Sequence, residues 1–226
     1  MIVAITQPTL YPWIGYFDII RKSDILVFLD DVQFNRHSWQ QNNRIKDPKN
    51  DEEVWLNIPV KKTDLQTNIN EIQIDNSKKW KRKHIRTLET CYGEKFRNMT
   101  WLGELYSEEW NNLSEFNIKF IKMCCEYLGI NTKFVNSSEL DISGKKTEKL
   151  VKICKHFSAD SYLTTYGTKE YYLENDEHMF NNVNIEVIYH DFKHPEYYQR
   201  GKKFLDHLSI LDLILNLNEE SKKIFR

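Results

Sequence analysis

Two adjacent carboxylates follow an apolar segment near the start of the chain. Asp30 and Asp31 come directly after residues 25–29, and Gln33 lies two positions further on. A carboxylate held rigidly at the end of a strand can orient a substrate hydroxyl, bind a metal or act as a general base. We therefore predict a catalytic role for Asp31 and substrate contacts for Asp30 and Gln33. The alternative is that these aspartates cap the following turn.

A second cluster follows residues 2–6 and combines neutral hydrogen-bonding groups with aromatic rings. Its members are Gln7, Tyr11, Trp13 and Tyr16. Flat apolar faces beside neutral polar groups suit a sugar or a nucleoside, so we predict that all four residues bind substrate. For Trp13 the alternative is a place in the hydrophobic core.

Residues 78–86 are the densest basic segment of the chain and contain one histidine. A helix places Trp80 and His84 of this segment one turn apart on the same face. That face can hold a diphosphate, with His84 donating or accepting a proton near neutral pH. We predict that Trp80 binds substrate and that His84 is a second catalytic residue. A lysine-rich helix face is, however, often simply solvated.

A second phosphate contact is predicted at residues 143–147. This segment reads Ser-Gly-Lys-Lys-Thr and precedes a helical pattern, so its backbone N–H groups and Lys145 can bind phosphate at the positive end of a helix. It is not a Walker loop, because the spaced first glycine is absent. The sequence contains no cofactor fingerprint, and we expect no cofactor.

Two more clusters follow later apolar segments. Tyr166 comes after residues 161–164, and the segment from His194 to Gln199 includes Tyr197. We predict substrate contacts at Tyr166, His194, Tyr197 and Gln199.

A metal site is not expected in the last of these clusters. His190 and His194 are four residues apart, but Pro195 argues against a regular helix there. A zinc site also requires a third ligand nearby. We therefore predict no metal.

The elements that must position these residues begin with a β-α-β unit. Apolar residues at 2–6 and 25–29 flank a helical segment that starts after Pro12. A short crossover favours a parallel pair of strands, which places Gln7 and Asp31 at one edge of the sheet, where open α/β sheets bind ligands. We predict that Tyr11, Gln33 and Arg44 line the same pocket as Gln7 and Asp31.

Further elements follow from periodicity and capping signals. We predict a hairpin that pairs residues 54–60 with 69–74, and a strand at 161–164. The helix predictions are 77–92 capped by Ser77, 113–128 ended by Gly129, one capped by Thr147, and a short helix at 209–215. The fold class is thus α/β, with a three-layer-like core, a mainly parallel sheet that begins β-α-β, a hairpin and a helical insertion.

Composition limits the partners and the compartment. The chain has 32 Lys and Arg against 33 Asp and Glu, so no overall field attracts nucleic acid or an anionic membrane. No apolar stretch approaches the roughly 20 residues that cross a bilayer, and the four cysteines lack disulfide or Cys-x-x-Cys spacing. We expect a cytoplasmic protein with buried free thiols and no nucleic-acid or membrane partner.

The chain resembles the WbqC-like family over nearly its whole length. Its most specific motif is Gln-Pro-Thr-Leu-Tyr-Pro-Trp-Ile-Gly-Tyr-Phe at residues 7–17, followed by Phe-Leu-Asp-Asp-Val-Gln-Phe at 28–34. The remaining matching residues are Ser38-Trp39, Asn43-Arg44-Ile45-Lys46, Ile58-Pro59-Val60, Trp80, His84, Tyr162-Leu163-Thr164, residues 194–199 and residues 209–212. The resemblance predicts one domain over 1–226, with a helical subregion at 77–130.

The resemblance also implies a function in bacterial O-antigen and other surface-polysaccharide biosynthesis. The expected activity is a transferase that attaches an acyl or aminoacyl group to an aminodeoxy sugar linked to a nucleotide. Its partners would be a nucleotide sugar and an unidentified acyl donor. Trp39, Asn43 and Arg44 would contact this substrate, and Arg44 with residues 78–86 would face the diphosphate.

Two other functions stay open at this point. The opening unit, with its Thr-x-x-Pro and the helix that starts at Gly15, is also similar to nucleotidyltransferases with a HIGH motif, which would make the protein an adenylyl transferase or ATP-dependent ligase. In those enzymes the helix begins with Gly-His, and here Tyr16 replaces the histidine. The third reading is a non-catalytic subunit that binds a sugar nucleotide.

Overall fold

The central sheet is parallel throughout. The computed structural model describes residues 1–168 and 176–225 of the 226-residue chain. The strands of this sheet are β1 (Ile2–Thr6), β2 (Ile25–Phe28), β5 (Lys133–Asn136), β6 (Ser161–Thr165) and β7 (Glu186–His190). They pair in the order β5-β2-β1-β6-β7. Counted along the chain, this is the order 3-2-1-4-5 of doubly wound nucleotide-binding sheets, and the predicted α/β class is confirmed.

The strands form because their sequences suit burial on both faces. All four residues of β2, Ile-Leu-Val-Phe, are buried, and β1 reads Ile-Val-Ala-Ile-Thr with its three central residues buried. Near-continuous apolar runs are typical of parallel strands covered by helices on both sides. On one side the core includes Val3, Val27 and Ile153, and Tyr162 stacks on Phe180 with ring centroids 5.0 Å apart.

Helices form most of the regular structure that the described residues have outside this sheet. The α-helices of the described residues are α1 (Ile14–Arg21), α2 (Trp80–Tyr92), α3 (Glu94–Arg97), α4 (Thr100–Ser107), α5 (Leu113–Leu128), α6 (Lys146–His156), α7 (Tyr166–Thr168), α8 (His178–Asn181) and α9 (Ile210–Leu217). Short 3-10 helices occur at Ile69–Glu71, Asn76–Lys78 and Ser137–Glu139, and a longer one at Asn218–Phe225. A separate antiparallel hairpin joins β3 (Asn42–Asp47) to β4 (Glu52–Asn57).

The chain divides into two compact units. The sheet unit comprises Met1–Gln7, Gly15–Asp31 and Ile130–Lys193, and the helical unit comprises Pro8–Ile14, Val32–Gly129 and His194–Arg226. The helical unit contains the β3-β4 hairpin and helices α2 to α5. These four helices fall in the helical subregion predicted at 77–130. The extent of the single domain over 1–226 stays a prediction.

Two helices agree with their sequence signals. The Asn112 side chain accepts a hydrogen bond of 3.1 Å from the Glu115 N–H at the start of α5, and the helix ends at Gly129, whose φ of 75° favours glycine. Ser209 caps α9 by accepting from the N–H of Leu211. Both predicted helices are confirmed.

Three details of the sequence prediction are wrong. A hairpin exists, but β4 pairs with Asn42–Asp47; the segment predicted as its partner instead contains the 3-10 helix at Ile69–Glu71 and a single bridge from Val60 to Ile74. Helix α2 starts at Trp80 because Asp75, accepting from Ser77, caps a preceding 3-10 turn. Thr147 lies inside α6, and its hydroxyl donates to Asp176 over 3.0 Å.

The cysteines and helix lengths add two findings. Cys91, Cys124, Cys125 and Cys154 are buried free thiols, as predicted, and burial raises the pKa of Cys154 to about 12. Within residues 1–168 and 176–225 there is no helix that is both long and apolar enough to traverse a lipid bilayer.

Candidate functional site

The carboxyl ends of β1 and β2 meet at the same edge of the sheet. Thr6 pairs with Phe28 in the parallel register, and the Leu29 N–H donates to the Thr6 carbonyl over 2.8 Å. Gln7 directly follows this pairing and Asp31 comes three residues after it, so both lie at the carboxyl edge. This placement is what the parallel β-α-β prediction requires.

Asp30 serves mainly to hold the chain after β5. Its side chain accepts hydrogen bonds from the Ser138 N–H at 3.0 Å and the Ser138 hydroxyl at 2.8 Å, and it shares the Ser137 hydroxyl, at 3.1 Å, with Asp31. The residue is only 3% exposed. Each carboxylate oxygen is therefore engaged within the protein, which favours the turn-cap role over substrate contact.

Asp31 is held differently and remains accessible. One oxygen accepts a hydrogen bond from the Ser137 hydroxyl, and the other lies 2.5 Å from the Lys149 ammonium, a charge-assisted contact. The Asp31 side chain is 22% exposed and that of Lys149 is 8% exposed. A carboxylate and an ammonium are thus fixed side by side at the carboxyl edge. Sequence reasoning missed Lys149, which sits in α6 among other lysines.

The sheet reverses its strand order between β1 and β6, which is the place where doubly wound sheets bind ligands. Gln7 is exposed there, and its carbonyl accepts a hydrogen bond of 3.1 Å from the Tyr16 hydroxyl, which in turn accepts from Thr6. After β6, the ring of Tyr166 is 54% exposed and stacks on Tyr189. Lys145 is exposed just before α6. These neutral, aromatic and cationic groups belong to the sheet unit.

A buried ion cluster in the sheet unit was not predicted as a unit. Asp18 of α1 accepts a hydrogen bond from His190 at 2.7 Å and forms salt bridges with Arg21 at 2.7 Å and Lys22 at 2.6 Å. Burial alone would raise the pKa of Asp18, but the hydrogen bonds from His190, Lys22 and Arg21 hold it well below its usual range. The cluster links α1 to the end of β7.

His84 is enclosed in the helical unit and uses both ring nitrogens. Its Nε2 donates to the Asn57 carbonyl over 3.0 Å, so Nδ1 is the acceptor that faces the Tyr11 hydroxyl at 3.1 Å. Burial, only partly offset by the Asn57 hydrogen bond, lowers the pKa of His84 to about 4. This geometry favours a structural or binding role for His84 over proton transfer, and its catalytic role stays a prediction.

We expect the free energy of unfolding to fall in acid, because His84 is neutral in the folded protein. Because its pKa is about 4 when folded and about 6.5 when unfolded, the stability it provides is present above pH 6.5 and is lost as the pH falls toward 4. The expected loss is roughly 3 kcal/mol. Urea unfolding at pH 7, 5.5 and 4 should show it, and H84Q should lose this part of the pH dependence. If the stability of H84Q varies with pH in the same way as that of wild type, the lowered pKa of His84 is contradicted.

Several other predicted contact residues of the helical unit are buried and bonded within the protein. Tyr11 is 0% exposed, and its hydroxyl also lies 2.6 Å from that of Tyr106. Asn43 donates to the Leu10 and Tyr11 carbonyls, both over 2.9 Å. The Trp80 indole donates to Asn76. These bonds favour structural roles for all three predicted residues.

A buried carboxyl explains the polar residues near the C-terminus. Asp212 accepts hydrogen bonds from the hydroxyls of Tyr92 at 2.6 Å and Tyr197 at 2.8 Å. Gln199 donates to the Tyr197 hydroxyl. Burial raises the pKa of Asp212 even though both tyrosines partly offset that effect. Tyr197 and Gln199 thus stabilise this carboxyl.

Trp13 and His194 form a stack rather than a core. The Trp13 indole stacks on His207 with centroids 4.9 Å apart and lies nearly parallel to His194. His194 donates from Nδ1 to the Pro195 carbonyl and accepts from the His207 N–H at Nε2. Burial and the neighbouring His207 lower the pKa of His194. Gln33 is not part of this stack. It is exposed, and its side-chain amide donates a hydrogen bond of 2.6 Å to the Leu65 carbonyl.

The basic segment borders a cavity in the helical unit. The cavity has a volume of about 340 Å³ and is lined by Trp55, Leu56, Asn57, Pro59, Lys78, Trp80, Lys83, His84 and Thr87. We call it the basic cavity, because its lining contains two lysines and no carboxylate. It brings together the predicted Trp80 and His84. Arg44, which forms a salt bridge of 2.9 Å with Glu53, contacts the Trp55 ring at its border.

The predicted pocket of five residues is divided between the two units. Gln7 and Asp31 belong to the sheet unit, whereas Tyr11, Gln33 and Arg44 belong to the helical unit. That these five line one pocket stays a prediction.

Comparisons with known proteins support one family. The model of the WbqC-like protein family matches residues 7–224. The uncharacterized protein Rv1507c of Mycobacterium tuberculosis is 34% identical over 230 residues, which cover 99% of this chain and 97% of the relative. No solved structure matches the chain significantly.

Proposed function

Because the chain belongs to the WbqC-like protein family, we propose that it is a transferase that forms an amide on an aminodeoxy sugar linked to a nucleotide, in the biosynthesis of a bacterial surface polysaccharide. The observation that carries the proposal is the accessible carboxylate of Asp31, fixed by Lys149 and Ser137 at the carboxyl edge of a parallel sheet. Ligands of such sheets bind beyond this edge.

The proposed reaction needs one base and one leaving group. The sugar amine attacks the acyl carbonyl of the donor, and a bond forms between its nitrogen and the acyl carbon. The bond from that carbon to the leaving group of the donor breaks, and Asp31 accepts the proton that the amine loses. A carboxylate held by two neighbours keeps its orientation during this step, which is where positioning contributes to the rate.

The substrate class follows from charge and shape. Lys78 and Lys83 border the basic cavity of the helical unit, and two lysines without a carboxylate beside them suit a diphosphate. We expect a uridine or thymidine diphosphate sugar to bind about tenfold or more tightly than the free sugar. Calorimetry at low salt measures both. Equal affinities would remove the diphosphate contact from the proposal.

One observation favours a second candidate, a nucleotidyltransferase or ATP-dependent ligase. The strand order 3-2-1-4-5 is one that occurs in doubly wound sheets that bind nucleotides. Tyr16 occupies the position of the histidine in the HIGH-like helix start, and its hydroxyl bonds to Thr6 and to the Gln7 carbonyl. A tyrosine in this position lacks the phosphate contact of the histidine. ATP that binds as tightly as the sugar nucleotide would favour this candidate.

A further inference from the structure

A pair of exposed tryptophans lies beside the basic cavity. Trp39 and Trp55 are 50% and 54% exposed, and their rings stack with centroids 5.8 Å apart at an angle of 23°. In β4 the alternation of the strand buries Leu56 and directs Trp55 outward. Adjacent exposed indoles cost free energy in water and often mark a binding surface. Trp55 also lines the basic cavity.

The cationic groups of this surface leave positive charge available for a ligand. Neither Lys78 nor Lys83 forms a salt bridge within the part of the chain that the structure describes, and both are exposed. Asp75, the nearest acid in sequence, accepts hydrogen bonds from the hydroxyl and N–H of Ser77, and the charge of Lys78 also helps to lower the pKa of Asp75. An anion that enters the cavity therefore meets two lysines and no lining carboxylate.

The inner wall of the cavity is neutral. His84 donates its Nε2 proton to the Asn57 carbonyl, which leaves Nδ1 as an acceptor. Trp80 is 2% exposed, and its indole N–H is bonded to Asn76. The cavity thus presents apolar and neutral surface inside and positive charge at Lys78 and Lys83. That distribution fits a ligand with a flat ring and a terminal anion.

We propose that the basic cavity binds the nucleoside diphosphate part of the substrate, with the base stacked on Trp55 and the phosphates paired with Lys83 and Lys78. This inference rests on the proposed function, because it assigns one part of that substrate to a site. The guanidinium of Arg44, 5.9 Å from the Trp55 ring centroid, holds the indole in place by a cation-π contact. Trp55 is therefore the selective element for a flat base, and the lysines select for phosphate.

Calorimetry with uridine diphosphate alone tests this assignment. W55A should raise the Kd for uridine diphosphate about tenfold, the scale of one base stacked on an aromatic ring, whereas W55F should retain most of the affinity. K83M should raise the Kd by a similar factor at low salt and leave the weak binding of uridine unchanged. Because Trp55 and Lys83 are exposed, these variants should fold normally.

Matched controls use exposed residues of the helical unit that do not line the cavity. Y198A removes a ring that is 65% exposed, and K119M removes an exposed ammonium of α5. Both should keep the wild-type Kd. Wild-type protein that fails to bind uridine diphosphate, or W55A and K83M that bind it normally, would overturn the assignment. Normal binding without any acyl transfer would leave this site intact and contradict only the proposed function.

Discussion

Turnover should fall roughly 100-fold in D31N, the scale expected when a general base is lost, while affinity for the sugar nucleotide changes little. Asparagine keeps the size of the side chain but cannot accept the amine proton. Asp31 is 22% exposed and held by Lys149 at 2.5 Å and by the Ser137 hydroxyl. The carboxylate therefore has a fixed orientation toward the carboxyl edge. Single-turnover rates and calorimetry separate the two quantities.

K149M is the matched comparison, because it breaks the same ion pair from the other side. It should lower thermal stability, since a largely buried pair that loses one partner leaves the other charge uncompensated. Its turnover should fall less than that of D31N once both rates are corrected for the folded fraction. If the two variants lose turnover equally, Asp31 is an anchor for Lys149. If neither rate changes, Asp31 only caps a turn.

The largest loss of stability is expected for D18A. Asp18 is 5% exposed and lies within 2.7 Å of His190, Arg21 and Lys22. Its removal leaves the buried His190 ring without its hydrogen-bond acceptor and takes the shared carboxylate from Arg21 and Lys22, which should cost about 1 to 3 kcal/mol. The pKa of Asp18 is lowered on folding. Its contribution is therefore present above the unfolded pKa of about 3.9 and is lost as the pH falls through the lower folded pKa.

Urea unfolding of wild type and D18A at pH 7 and at pH 3 or below checks both statements. The difference between the two proteins should be largest at pH 7 and should narrow in acid. D160A is the control, since Asp160 pairs with the N-terminus but its side chain is 81% exposed; it should change stability little. A D18A protein as stable as D160A would show that the cluster does not hold α1 to β7.

The sequence predicts the sheet better than it predicts the side-chain contacts. The apolar runs at 2–6 and 25–29 are typical of buried parallel strands, so β1, β2 and their parallel pairing could be predicted from the sequence. Strand β3 was missed because Asn-Asn-Arg-Ile-Lys-Asp carries almost no strand signal. It forms through pairing with β4, a tertiary effect. Residues 69–74, whose side chains alternate weakly between apolar and polar, were predicted as the partner strand instead.

The site residues show the same limit. Asp31 could be found because it ends a strand, but Lys149 lies 118 positions later in a helix with other lysines, and nothing local distinguishes a paired lysine from a solvated one. Trp55 was missed since a tryptophan in a strand is usually taken to be buried. Tyr11 and His84 were predicted to face substrate, yet their polar atoms bond to each other, 73 positions apart. Such long-range pairs are decided by packing.

Mass spectrometry of the reaction products distinguishes amide formation from adenylyl transfer. The protein is incubated with uridine and thymidine diphosphate amino sugars and with a panel of acyl and aminoacyl donors, and the sugar nucleotides are then analysed. We expect an amino sugar that gains an amide-linked acyl group while it remains attached to the nucleotide, in wild type and at a much lower rate in D31N. Unmodified sugar nucleotides with every donor, together with AMP formed when ATP is supplied, would contradict the proposed acyl transfer.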